Sequence, residues 1–169
     1  MIIVSTLFII ATTLISVFLN KSFPTTALSD LGSTSNISLI FNLGIAVNGI
    51  LVFIWLKTVL KKTYFINRFQ KIVISLHPIA FFLLGIIPTY KYNFIHWMFA
   101  YTYFFSVLYF QFIIRNKFRI NTTFFLMFEI AIAGIGLANQ NFYLISESLV
   151  FLTISMWQYL LSRQILKSL

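Results

Sequence analysis

Few residues of this chain can do chemistry near neutral pH. Beyond lysine and arginine, the titratable side chains are Asp30, Glu129, Glu147, His77 and His96. Carboxylates and imidazoles together can bind a cation, orient a polar headgroup or transfer a proton. The sequence contains no cysteine, so disulfides, zinc–thiolate sites, iron–sulfur clusters and thiol nucleophiles are excluded.

Known catalytic and cofactor motifs are missing from the sequence. It has no G-x-S-x-G or H-E-x-x-H motif and no glycine-rich phosphate loop. His77 lies near the inner end of the third predicted span and His96 at the outer end of the fourth, so about 15 Å or more separates them along the membrane normal. Two axial ligands of one haem must approach the same iron, which excludes a bis-histidine haem. We therefore expect no cofactor and no metal, and the question of an enzymatic activity stays open.

The elements that carry these residues are six apolar segments. Hydrophobic residues make up 60% of the chain, and only 9% of its residues are charged. Six helices of about 20 residues would use most of the 169 residues. The sequence predicts an all-α, polytopic membrane protein, a bundle of six transmembrane helices in a single domain over 1–169. The predicted spans cover 2–19, 37–56, 72–90, 95–114, 123–138 and 144–161.

Lysine and arginine alternate between the predicted loops. Ten of the twelve lie in the loop after the second span, the loop after the fourth span and the C-terminal tail. Lys21 and Lys91 occupy the loops on the other side. Cytoplasmic loops are enriched in cations, so both termini are predicted to be cytoplasmic in a multi-pass plasma-membrane protein. The net charge of +9 then reflects orientation and contact with anionic lipids, and nucleic acid is not an expected partner.

This topology brings three titratable residues to the outer surface. Asp30 lies in the loop before the second span, His96 opens the fourth, and Glu147 lies about one turn inside the sixth. Two carboxylates and a histidine could bind a cation or a polar headgroup there. The simpler interpretation is that Asp30 caps a helix or turn and that water hydrates His96 and Glu147. Both interpretations stay open.

His77 and Glu129 lie deeper. Each stands five or six residues above the cytoplasmic end of its span, which places both at a depth of about 8–9 Å. An unpaired carboxylate there is costly, so Glu129 should be neutral, hydrogen-bonded or next to water. The two residues could form a buried acid–base pair. Alternatively, Glu129 serves packing or reaches toward Arg115, Lys117 or Arg119.

Small and polar residues mix in the second span. Asn42 and Asn48 lie there among Gly44, Ala46 and Gly49, a composition that belongs inside a bundle. Asparagine amides in such helices join neighbouring helices more often than they bind a substrate.

Several short motifs resemble a known prokaryotic family. They are Ala27-Leu28-Ser29-Asp30-Leu31-Gly32, Ile40-Phe41-Asn42-Leu43-Gly44, Gly85-Ile86-Ile87-Pro88 and Ile95-His96-Trp97-Met98-Phe99-Ala100. With them the chain resembles the six-helix membrane proteins called "domain of unknown function 998" and, more distantly, the Frag1/DRAM/Sfk1 superfamily. The resemblance implies six helices, a membrane location and functional weight on Asp30, Asn42 and His96. It brings no established reaction.

Three functional hypotheses follow. In the first, an outer-leaflet pocket of Asp30, Asn42 and His96, with Glu147 as a further candidate, binds a lipid headgroup or a small polar ligand. In the second, the chain is an accessory subunit that packs on a larger membrane complex through the small residues Gly134 and Ala138. In the third, His77 and Glu129 serve an intramembrane enzyme or a proton-coupled carrier. Expected partners are membrane lipids and other membrane subunits.

Overall fold

Helices account for nearly all of the chain that the structure describes. The computed structural model describes residues 4–5, 7–8, 10–11, 38–87, 93–139 and 143–167. Its helices are α1 (Ser38–Lys62), α2 (Arg68–Ile86), α3 (Asn93–Ile114), α4 (Thr122–Ala138) and α5 (Tyr143–Lys167). Residues 4–5, 7–8 and 10–11 are also helical. The predicted all-α class is confirmed for these ranges.

Three of the helices could cross a membrane. By length and composition, α1, α2 and α3 are long and apolar enough to do so. Helix α4 is apolar but has only 17 residues, and the 25-residue α5 carries buried polar side chains such as Ser146, Thr153 and Gln158. The predicted fifth and sixth spans are thus helices, but they are not both long enough and apolar enough to count as membrane spans. Most of the predicted first span lies outside the described residues. Three of the six predicted spans are supported.

The boundaries of α1 and α2 differ from the predicted spans. Helix α1 continues to Lys62, six residues past the predicted end, because its terminal lysines can extend their charges to the surface. Helix α2 begins at Arg68, four residues early, behind a capping box. In that box Asn67 Oδ1 accepts the Gln70 N–H at 2.9 Å, and Gln70 Oε1 accepts the Asn67 N–H at 3.0 Å. Helix α2 ends before the predicted 90 because Pro88 disfavours helix at Ile87.

Helices α1 and α2 pack with their backbones in close approach. A Cβ atom added at Gly49 would lie 2.6 Å from the Phe82 backbone nitrogen, and one at Gly85 would lie 2.5 Å from the Ala46 nitrogen. Neither distance leaves room for a methyl group. The second predicted span therefore does belong inside the bundle, as its small residues indicated.

The basic segments meet at one end of the bundle. In the turn between α1 and α2, the Phe65 ring lies 6.4 Å from the Phe118 ring in the turn between α3 and α4. Lys117 Nζ lies 5.6 Å from the centre of the Phe65 ring. The Arg119 N–H donates to Gln164 Oε1 of α5 at 2.9 Å. This basic end, formed by the turns 63–67 and 115–121 and the last turns of α5, lies opposite the end that contains His96.

Candidate functional site

A cavity of about 430 Å³ lies toward the end of the bundle opposite the basic end. Asn42 of α1, His96 of α3 and Glu147 of α5 all line it. Three of the four ligand-binding candidates from the sequence therefore lie around one space, although more than 100 residues separate the first from the last. Asp30, the fourth candidate, lies outside the described residues.

The remaining walls of this outer cavity are mainly apolar and aromatic. They include Phe41, Ile45, Leu84, Phe104 and Val150, and the serines 146, 148 and 155 add hydroxyl groups. None of the described residues that line the cavity is a lysine or an arginine. Exposed side chains stand at the edge, among them Tyr101, Phe105 and Leu152. The cavity thus combines a polar region with an apolar wall and opens at the side of the bundle.

His96 is held in one orientation at the polar region. Its side chain is only 7% exposed, and its Nδ1 lies 2.8 Å from the Ile87 carbonyl oxygen. A carbonyl can only accept, so Nδ1 carries the proton and Nε2 of the neutral ring is an acceptor. The backbone therefore satisfies one ring nitrogen, and the interpretation of His96 as a hydrated group stays a prediction. Asp30, the other member of the predicted outer pocket, lies outside the described residues, so its place beside His96 stays a prediction.

An aromatic layer closes the inner side of the outer cavity. The rings of Tyr103 of α3, Phe81 of α2 and Phe151 of α5 form a triangular cluster, with 4.7 Å between the centres of Tyr103 and Phe81, 5.6 Å between Tyr103 and Phe151, and 5.7 Å between Phe81 and Phe151. All three rings line the cavity. On its other side, Tyr103 meets the His77 imidazole edge to face, with 5.2 Å between ring centres. This layer separates the outer cavity from the polar residues below it.

The deep pair from the sequence is buried, and each member has a glutamine as its partner. His77 and Glu129 are both 0% exposed. Glu129 Oε1 accepts a hydrogen bond from Gln111 Nε2 at 2.9 Å. His77 Nε2 lies 3.3 Å from Gln158 Nε2, and an amide nitrogen only donates, so this ring nitrogen accepts. Both residues face the bundle interior as predicted, but the described contacts include no hydrogen bond between them.

The alternative in which Glu129 reaches toward the cations of the α3–α4 turn is wrong. The carboxyl group is fully buried against Gln111, and the Arg115 guanidinium instead donates to the Phe112 carbonyl at 2.9 Å. Around the pair, several buried side-chain atoms have no hydrogen-bond partner among the described residues. They are His77 Nδ1, Gln111 Oε1, Glu129 Oε2 and Trp157 Nε1.

The sequence did not single out Gln111, Gln158 or Tyr103. A signal for the glutamines was present, since an amide within an apolar span is costly unless it faces another polar group. Their partners could not be identified in that way, because Gln111 bonds across to α4 and Gln158 across to α2.

Asn48 joins two helical segments, whereas the small residues of α4 are exposed. Ser5 donates to Asn48 Oδ1, so this amide joins the first segment to α1, as the helix-joining interpretation predicted. Gly134 and Ala138 are exposed, and a Cβ atom at Gly134 would meet no atom within 4 Å.

Comparisons with protein-family models, with curated proteins and with solved structures found no match to this chain. The resemblance to the "domain of unknown function 998" proteins therefore stays a prediction, and the geometry of the site carries the functional argument.

Proposed function

We propose that this protein is a six-span plasma-membrane protein whose outer cavity binds the polar head and part of the apolar chain of a lipid. The observation that carries the proposal is the convergence of Asn42, His96 and Glu147, from three helices, on one largely apolar cavity. Cavities with apolar walls and a few convergent polar groups are typical ligand sites.

The polar groups indicate the chemistry of the head. Nε2 of the neutral His96 ring accepts a hydrogen bond, and so do the carboxyl oxygens of Glu147. No lysine or arginine among the described lining residues offers a positive charge. A head that donates hydrogen bonds, such as an amine or a hydroxyl group, suits this lining, whereas a bare phosphate or carboxylate does not.

The apolar wall indicates how the ligand enters. Tyr101 and Phe105 of α3 and Leu152 of α5 are exposed where the cavity opens at the side of the bundle. In a bilayer these side chains contact lipid, so an acyl chain can pass from the membrane into the cavity without crossing water.

The described contacts support one part of this topology, the antiparallel packing of the first segment against α1. Ser5 bonds to Asn48, and Ile10 lines the outer cavity together with Asn42. Residue numbers increase from Ser5 to Ile10 along the first segment, whereas those of its neighbours on α1 decrease from Asn48 to Asn42. The two segments therefore run antiparallel. The first segment would then begin at the basic end, where the positive-inside rule expects the cytoplasm. The plasma-membrane location rests on the family resemblance.

Trp97 allows a direct test because it lines the outer cavity, whereas Trp55 and Trp157 are buried elsewhere. A variant with Trp55→Phe and Trp157→Phe leaves Trp97 as the single tryptophan. In detergent, long-chain amines and alcohols brominated on the chain should quench Trp97 fluorescence saturably. The brominated carboxylic acid of equal length should quench much less.

Two further variants separate binding from partition into the micelle. Asn42→Leu and Glu147→Leu should each weaken saturable quenching by about tenfold, the effect of about 1.4 kcal/mol from one lost hydrogen bond. Thr58→Val, on the exposed side of α1 near the basic end, should leave it unchanged. Quenching that does not saturate, or that all three variants leave unchanged, would contradict the proposal. Full displacement by ethanolamine or glycerol alone would favour a small polar ligand instead.

A second candidate function has one observation in its favour. The exposed Gly134 and Ala138 would let a transmembrane helix of another subunit approach α4 closely. In this alternative the chain is an accessory subunit. Gly134→Leu should then release a co-purifying membrane protein from native membranes, and it should leave the quenching of Trp97 unchanged.

A further inference from the structure

The side chains of Gln111 and Glu129 are joined by one hydrogen bond, although their terminal groups could form two. Gln111 Nε2 donates to Glu129 Oε1 at 2.9 Å. The other oxygens of the same two groups, Gln111 Oε1 and Glu129 Oε2, have no hydrogen-bond partner among the described residues. Both side chains are fully buried, so bulk water does not reach them.

The protonation state of the carboxyl group decides whether both oxygens can be satisfied. An amide oxygen only accepts, and an ionised carboxylate only accepts, so neither of these two oxygens could donate to the other. A proton on Oε2 changes this, because the acid can then donate to Gln111 Oε1. One proton satisfies both atoms and closes a reciprocal pair of hydrogen bonds.

We propose that Glu129 and Gln111 form a buried proton-binding site, in which Glu129 Oε2 is protonated and its O–H donates a hydrogen bond to Gln111 Oε1. The ligand of this site is a single proton. The site lies below the aromatic layer and is distinct from the outer cavity, so proton binding does not depend on lipid binding.

Among the described residues, the hydrogen-bond partner of Glu129 is Gln111, and no charged group is bonded to the carboxyl group. On α2, His77 Nε2 accepts from the Gln158 amide of α5 rather than from a group of this site. On α3, the Tyr103 ring packs against His77, Phe81 and Phe151. Arg115, one turn below Gln111, donates to the Phe112 carbonyl. An ionised Glu129 would thus lack both a counter-ion and a donor for Oε2 among the described residues.

Infrared spectroscopy tests the proposal on the intact protein in detergent. The carbonyl stretch of a protonated carboxylic acid is separate from the carboxylate and amide bands and shifts in deuterated water. The wild-type protein at neutral pH should show this band. Glu129→Gln should abolish it and still fold, because its amide can donate to Gln111 Oε1 as the acid does. Glu147→Gln is the matched control and should leave the band in place.

A second variant tests the role of Gln111 as a positioning residue. Gln111→Leu removes both hydrogen bonds to the acid, so the carbonyl band should move to higher frequency, a change that loss of packing alone does not produce. Absence of the band in the wild-type protein would overturn the proposal. So would its persistence in Glu129→Gln, an unfolded Glu129→Gln, or an unshifted band in Gln111→Leu.

Discussion

At the scale of single residues, the Ile87 carbonyl determines what His96 can do. This carbonyl follows the last residue of α2, where no helical N–H is available to it, and it accepts the Nδ1 proton of His96 at 2.8 Å. One ring nitrogen therefore holds the end of α2 against the start of α3, and the other is left for the outer cavity. Nδ1 of His96 thus stabilises the fold, and Nε2 is the atom proposed to bind the ligand.

Substitutions can separate these two roles of His96. The side-chain amide of His96→Asn places its nitrogen near the position of Nδ1 and can keep the bond to Ile87, whereas His96→Leu cannot. We expect His96→Leu to lower the free energy of unfolding by about 1 kcal/mol and His96→Asn to lower it much less. Both should weaken ligand quenching of Trp97, since neither retains Nε2. Thermal unfolding in detergent measures the first effect. Equal stability losses in the two variants would contradict the assigned hydrogen bond.

At the scale of elements, glycine sets the distance between α1 and α2. Gly49 and Gly85 each contact the backbone of the partner helix, so the two axes lie closer than any side chain would allow. Lipid tails cannot reproduce such close contacts, and dispersion between the two backbones stabilises the pair. On α4 the same residue type does something different, because Gly134 faces away from the rest of the described chain.

Alanine substitutions distinguish these glycines. Gly49→Ala and Gly85→Ala should each destabilise the bundle by about 1–3 kcal/mol, because the added methyl group meets the backbone of the other helix, which cannot move aside locally. Gly134→Ala is the matched control. It should leave stability unchanged or raise it by up to about 1 kcal/mol, the helix-propensity gain of alanine over glycine. Thermal unfolding of the three variants in one detergent is the measurement, and equal effects would contradict the close packing.

At the scale of the whole molecule, the bundle has two chemically different ends. The cationic turns 63–67 and 115–121 and the end of α5 are joined by the Phe65–Phe118 and Arg119–Gln164 contacts. The opposite end contains the outer cavity and its acceptor groups. Charge is therefore distributed along the bundle axis, which is the distribution that orients a membrane protein.

This polarity predicts a topology that cysteine labelling can measure, and the chain is suited to it because it has no native cysteine. A cysteine at Ser33 should react with a membrane-impermeant reagent in intact cells. One at Asn116, exposed at the basic end, should react only after permeabilisation. A reporter fused after Lys167 should behave as cytoplasmic. Labelling of Asn116→Cys in intact cells would show that the orientation is inverted.

Local sequence patterns predicted the five described helices, their approximate places and the charge at their ends. These are local properties: an apolar segment long enough to form a helix, a cation that follows it, a proline that ends it. Boundaries were less well predicted, because the Asn67 capping box and the basic last turn of α1 extend two helices into what looked like a loop. The burial of His77 and Glu129 agrees with one of the two interpretations that the sequence left open, because an unpaired carboxylate at that depth is costly.

Which residues contact one another depends on the tertiary structure. That Asn42, His96 and Glu147 line one cavity depends on how α1, α3 and α5 are rotated about their axes, and no local pattern sets that rotation. The pairing of Glu129 with Gln111 and of His77 with Gln158 depends on the same rotations. They are set by close packing over the whole bundle, through contacts such as that of Gly49 with Phe82, between residues far apart in the chain.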